Sequence, residues 1–263
     1  MMRPAWVAAV LERETAELLR NRLLLLSILA PPLVIVLGPV ILGKVVAGRP
    51  LPAGLMAALV AGRPEWGSLS PGNLAAAYSF QQFLFFFLML PAFIPLSIAT
   101  FSIIGEKHSR TLEAVLATPI RTSELLAGKA IAAAGPGIAG GLIAYLGFAG
   151  LVRALYGPEL FTIVSAPDWL ASTFLLGPAI ALLSVVLAVL VSSRANDPRT
   201  AQQVGAVIIV PLVAAVIAQA SGRLLVDATG YALAALVVLL LALAGVRAGS
   251  WLFAREAILT RWR

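Results

Sequence analysis

The sequence predicts an all-α polytopic membrane protein with six transmembrane helices, and three observations carry that prediction. First, 60% of the residues are hydrophobic, mean hydropathy is +0.98 and only 12% are charged. A soluble domain of this length needs far more polar surface. Second, apolar blocks recur along the chain, and a block of about 20 residues at roughly 1.5 Å per residue crosses one hydrocarbon layer. Third, the basic residues are unevenly placed. With the amino terminus inside, Lys44, Arg49, Arg63, Arg153 and Arg223 lie outside and the other 14 of the 19 Lys and Arg lie inside. That bias fits six spans with both termini cytoplasmic, and the expected location is the cell's inner (plasma) membrane. Period-2 segments of a membrane β-barrel are absent.

The elements follow in order. Residues 1–22 read as an amphipathic interfacial helix, and residues 23–263 as one six-span domain. Trp6, Val7, Val10, Leu11, Leu18 and Leu19 form one side of the first helix; Arg3, Glu12, Arg13, Glu17 and Arg20 form the other. Such a helix lies in the headgroup plane. The order of a signal peptide is not met, so no cleaved leader is expected. The first span is Leu23 to Gly43, kinked by Pro31, Pro32 and Pro39. Lys44 to Ala75 reads as an exposed loop with a short helix at Leu55 to Ala61.

The second span, Ala76 to Ile104, exceeds one hydrocarbon thickness and must tilt or bend, with Pro91 and Pro95 one turn apart. Gln81, Gln82, Phe83 and Phe87 on it are candidates for lining a solute path. Amides near lipid need a partner or a polar cavity, whereas any single aromatic more often serves lipid contact or packing. In the third span, Ala130 to Val152, Gly137 and Gly141 permit close helix approach, within the chain or from a second copy. Arg153 to Trp169 reads as a short loop with Asp168 and Trp169 at the membrane interface. The fourth span is Leu170 to Val191. The fifth is Val204 to Ala220, with Pro211 midway, and the sixth is Gly230 to Val246.

Between spans two and three lies a charged stretch, Gly105 to Pro119. Ser109 or Thr111 can cap a short helix there, and Thr118-Pro119 stops it. Leu112, Val115 and Leu116 give it an apolar stripe among Glu106, Lys107, Arg110 and Glu113. A solvated connection looks much the same, so composition alone does not make this a docking helix.

Several chemistries are excluded. No phosphate-binding Gly-x-x-x-x-Gly-Lys-Ser/Thr occurs, and Gly128-Lys129 lacks both the upstream glycine and the following hydroxyl residue. His108 is the only histidine and there is no cysteine, so no catalytic residue, metal site or bound cofactor is expected on this chain. The net charge of +7 is explained by topology, which leaves no nucleic-acid partner. The span cores hold no Asp, Glu, Lys or Arg. Ion-coupled transporters usually carry such residues at mid-depth. Energy for any transport should therefore arrive through a contact outside the bilayer.

The order Gly105-Glu106-Lys107, Arg110, Thr111-Leu112-Glu113, Val115-Leu116, Ala117-Thr118-Pro119 and then Gly128-Lys129 resembles the segment between spans two and three of ABC-2 type transporter permeases. The turn Arg194-Ala195-Asn196-Asp197-Pro198-Arg199, leading to Ala201-Gln202-Gln203, is similar to their turn before span five. The resemblance implies the membrane-spanning subunit of an ABC exporter with an elbow helix at its start. It implies that Gly105, Glu106, Lys107, Arg110, Thr111, Leu112, Glu113 and Leu116 form a coupling helix that enters an ATP-binding subunit, with Arg194, Asp197 and Arg199 as a secondary contact. ATP and Mg would sit on that partner, and a second copy of the chain or a related permease would complete the transporter. For Ser221 to Thr229 it raises a re-entrant turn, which the residues leave open beside a simple loop. The expected solute is apolar or amphipathic: a drug, a lipid-like molecule or a peptide. The alternative is a membrane anchor or assembly factor that recruits a cytoplasmic protein and moves nothing. A passive channel lacks the polar mid-span rings it would need.

Overall fold

The computed structural model describes residues 4–20, 22–49, 51–108, 122–192, 198–220 and 226–252. Among them every regular element is helical. In chain order these are α1 (Pro4–Arg20), α2 (Arg22–Ala47), α3 (Ala53–Gly62) with a 3₁₀ turn (Pro64–Ser68), α4 (Pro71–His108), α5 (Thr122–Tyr156) and α6 (Pro158–Val164). Then come α7 (Pro167–Ala171), a π turn (Ser172–Leu176), α8 (Gly177–Ser192), α9 (Pro198–Gly205), a 3₁₀ turn (Ala206–Ile208), α10 (Ile209–Ala220) and α11 (Ala228–Leu252).

Among the described residues, five helical stretches are long and apolar enough to cross a membrane: Ile28–Ala47, Pro71–Gly105, Ala127–Tyr156, Pro167–Ser192 and Ala228–Arg247. The expected fifth span has a different build. It is divided among α9, the 3₁₀ turn and α10. Proline explains the break. Pro211 has no N–H to return to the carbonyl of Val207, and the 3₁₀ turn falls there. Pro178 acts alike in the span before it, just after a π turn in which the Gly177 N–H reaches back to the Ser172 carbonyl. The short helix expected at Leu55 to Ala61 is α3. The expected loop from Arg153 is instead helical to Tyr156, turns at Gly157 with φ +85°, and continues as α6. A positive φ suits glycine because it has no Cβ.

α4 is the hub, packed against α2, α5, α8 and α10. Its 38 residues run about 57 Å at roughly 1.5 Å each, and its buried side chains anchor the core. Glycines set how close its neighbours come. A Cβ on Gly137 would collide with the Pro95 ring, and one on Gly141 would stand 3.5 Å from Pro91. The Gly137–Gly141 face is therefore spent within the chain, with the two kink prolines of α4 seated on it. Gly43 likewise lets α2 approach Phe80 and Tyr156. Around Phe80 the rings of Phe87, Tyr145, Phe148, Tyr156 and Trp169 form an aromatic cluster, with edge-on pairs at 5.1–5.7 Å, stacked pairs at 5.3 and 6.2 Å and a tilted Phe87–Phe148 pair at 5.1 Å.

Candidate functional site

The expected coupling stretch divides at the edge of the described residues. Gly105, Glu106 and Lys107 belong to the last turns of α4, with Gly105 exposed. Arg110, Thr111, Leu112, Glu113 and Leu116 lie outside the described residues, as do Arg194 and Asp197; Arg199 is in the first turn of α9. The structure does define the two helices that flank the stretch, and a polar joint ties them together. Lys129 of α5 places its Nζ 2.5 Å from Glu14 Oε1 of α1 and 2.6 Å from Ser102 Oγ of α4. The Lys129 and Glu14 side chains are 5% and 4% exposed. Beside them Gly128 lies against α1: a Cβ there would stand 2.7 Å from Val10 Cβ and 3.3 Å from the Val7 carbonyl oxygen. Glu124, one turn earlier on α5, is buried as well.

Sequence reasoning split α1 into an apolar and a charged side and left Glu14 out. The signal was there. Val7, Val10, Leu11, Glu14 and Leu18 follow one helical stripe, so Glu14 is an acid set among apolar neighbours. An acid in such a place needs a buried cation.

At the opposite end a second polar joint closes the bundle. Arg63, at the end of α3, sends Nη2 to Asp168 Oδ2 at 2.8 Å. The same oxygen accepts a hydrogen bond from Gln81 Nε2 at 3.1 Å. Arg63 also stands over the Trp66 ring at 5.2 Å, and Trp66 is itself buried. The loop expected to be exposed is thus pinned into the bundle top, and Asp168 and Trp169 are buried. An open cleft of about 410 Å³ adjoins the joint, lined by Arg63, Glu65, Asp168 and Asp227 among others. Nearby, Lys44 Nζ donates to the Leu155 carbonyl at 2.8 Å and lies 4.3 Å from the Tyr156 ring centre.

The four path candidates on α4 do not share one surface. Gln81 is buried and bonded to Asp168, and Phe87 is buried against Phe148 and Trp169. Gln82 and Phe83 are half-buried; Phe83 packs beside Phe86 at 5.2 Å and near Gly38. Phe87 borders an apolar void of about 10 Å³ with Pro91, Gly141 and Thr173, room for at most one water. Further down α4, Gln202 Nε2 of α9 donates to Ser97 Oγ at 2.7 Å. Ser97 and Gln202 were not singled out for a shared role, because their partnership is set only when α9 docks on α4.

Among the described residues no group of three or more His, Asp or Glu could hold a metal ion. Residues 68–221, more than half of the chain, match the family described as "ABC-2 family transporter protein". That range runs from the 3₁₀ turn before α4 to the end of α10. No curated protein matches the chain.

Proposed function

The chain belongs to the ABC-2 family of transporter proteins, and we propose that it is the permease subunit of an ATP-driven exporter. In this reading a separate ATP-binding subunit docks on the Glu106 to Pro119 segment. Closure of that subunit on ATP moves the inner ends of α4 and α5. The α9–α10 stretch serves as a sixth crossing, and two copies, or this chain with a related permease, enclose the path. The solute is apolar or amphipathic, since the span cores are poor in charge. Both termini lie in the cytoplasm, and ATP and Mg are held by the partner.

One observation carries the proposal: the family match covers α4, the charged segment and α5 through α10 as a single stretch. It is supported by the lack of mid-depth ionisable residues. Lys129 and Asp168 are buried, but both sit near the ends of their spans. A transporter driven by its own ion gradient would need such a group deeper.

The test is uncoupling. Glu106→Lys and Leu112→Asp leave the protein in the membrane and abolish export while the partner still turns over ATP. Normal export by both variants overturns the assignment of the segment.

A further inference from the structure

The Glu14–Lys129–Ser102 joint does more than the anchoring of an interfacial helix requires. The apolar stripe of α1 already holds such a helix on a membrane. A buried ion pair adds little net adhesion, because its desolvation largely offsets its attraction. What it adds is register, since only one placement of α1 satisfies both charges. Two adjacent residues of α5 serve that one placement: Gly128 by omitting a side chain where Val10 and the Val7 carbonyl approach, Lys129 by pairing with Glu14. Lys129 then reaches on to Ser102, so the joint touches both helices that flank residues 109–121, one on each side. Other charge on α1 is turned away: Arg13 pairs with Glu17 at 3.0 Å on its exposed face.

We propose that this joint clamps α1 to the inner ends of α4 and α5 so that the three move as one body when the partner binds ATP. Glu14 and Lys129 are then positioning residues for coupling, and α1 is a working part of the joint rather than a membrane float. The proposal rests on the permease reading above.

The chain has no cysteine, which makes a clean test available. The complex with its copurifying ATP-binding subunit is placed in phosphatidylethanolamine–phosphatidylglycerol nanodiscs, which leave both faces open to ATP and reagent. An Ala166→Cys reporter in the cleft at the opposite end is labelled with a membrane-impermeant maleimide, with and without ATP. In the parent protein ATP changes the labelling rate by about fivefold or more, the lower edge of ordinary coupling between sites. If it does not, or if no ATP-binding subunit copurifies, the permease reading itself fails.

With the parent response established, Lys129→Met keeps the partner's ATP turnover but loses the labelling response. Exchanging the two charges, as Glu14→Lys with Lys129→Glu, restores the response, because the reversed pair rebuilds the link between α1 and α5. A misfolded variant would lose assembly and turnover together. Should Lys129→Met not assemble, Glu14→Gln is read in its place with the same two outcomes. A full ATP response in the single variant, or no recovery in a charge-swapped variant that assembles, overturns the clamp.

Discussion

Arg63→Met is the most informative perturbation at the closed end of the bundle. It removes the cation but keeps most of the stem, so the Asp168 carboxylate, only 5% exposed, retains one neutral amide bond from Gln81. Removing one partner of a buried pair costs about 3–5 kcal/mol, since a charge is left uncompensated. Arg63 is 15% exposed, so some water can reach the vacated place and the lower end applies, about 3 kcal/mol. Loss of the cation over Trp66 adds about 0.5–1 kcal/mol. For a chain of this size each kcal/mol moves the midpoint by roughly 2–4 °C, so a fall of about 7–16 °C follows. The assay is loss of the monodisperse peak on heating in mild detergent at one fixed scan rate, because unfolding of such proteins is often irreversible. Asp168→Asn should cost less, about 1–3 kcal/mol, as Arg63 can turn toward the open cleft. The double variant Arg63→Met/Asp168→Leu should recover most of the loss, since no charge is then left buried. A midpoint unchanged in Arg63→Met, or a double variant that falls by the sum of the two singles, would refute the reasoning.

Three more outcomes follow from the packing. Gly137→Leu drives a side chain into Pro95 and should cost about 1–3 kcal/mol or more, whereas Gly135→Leu, where a Cβ meets open space, should stay within about 0.5 kcal/mol; the same heating assay separates them. Gln202→Leu removes the donor to Ser97 and should lower stability by about 1 kcal/mol, with Ser97→Ala/Gln202→Leu no worse than the single change in a double-mutant cycle. Trp66→Ala empties a buried site under the segment that joins α2 to α4 and should cost about 3–5 kcal/mol, read also as faster protease cleavage between Arg49 and Ser70.

The helical membrane class, the family and most span positions were legible in the sequence, because apolar runs and the placement of Lys and Arg report directly on the bilayer. α3 was legible too, as a short apolar run between Pro52 and Pro64. The build of the fifth segment was less so: Pro211 was visible, but whether a proline bends a helix or divides it depends on what receives the freed carbonyl. Gly137 and Gly141 announced a close approach without naming the partner, which is the Pro91 and Pro95 pair. The two polar joints were missed for one reason. Glu14 and Lys129 are 115 residues apart, and Arg63 and Asp168 are 105 apart. No local pattern links such pairs; only the packing of α1 and α3 onto the bundle does. The amide of Gln81 did announce a need for a polar partner, and that partner is Asp168.

The central claim is that a separate ATP-binding subunit drives this permease through the segment after α4. The measurement is a mild-detergent pull-down of the chain from its own membrane, with the copurifying proteins identified and counted. A soluble ATP-binding subunit is expected in equal number, lost from the complex in Leu112→Asp while the chain itself stays in the membrane. Recovery of the chain alone, or with a partner that does not bind ATP, would contradict it and leave the anchor reading in its place.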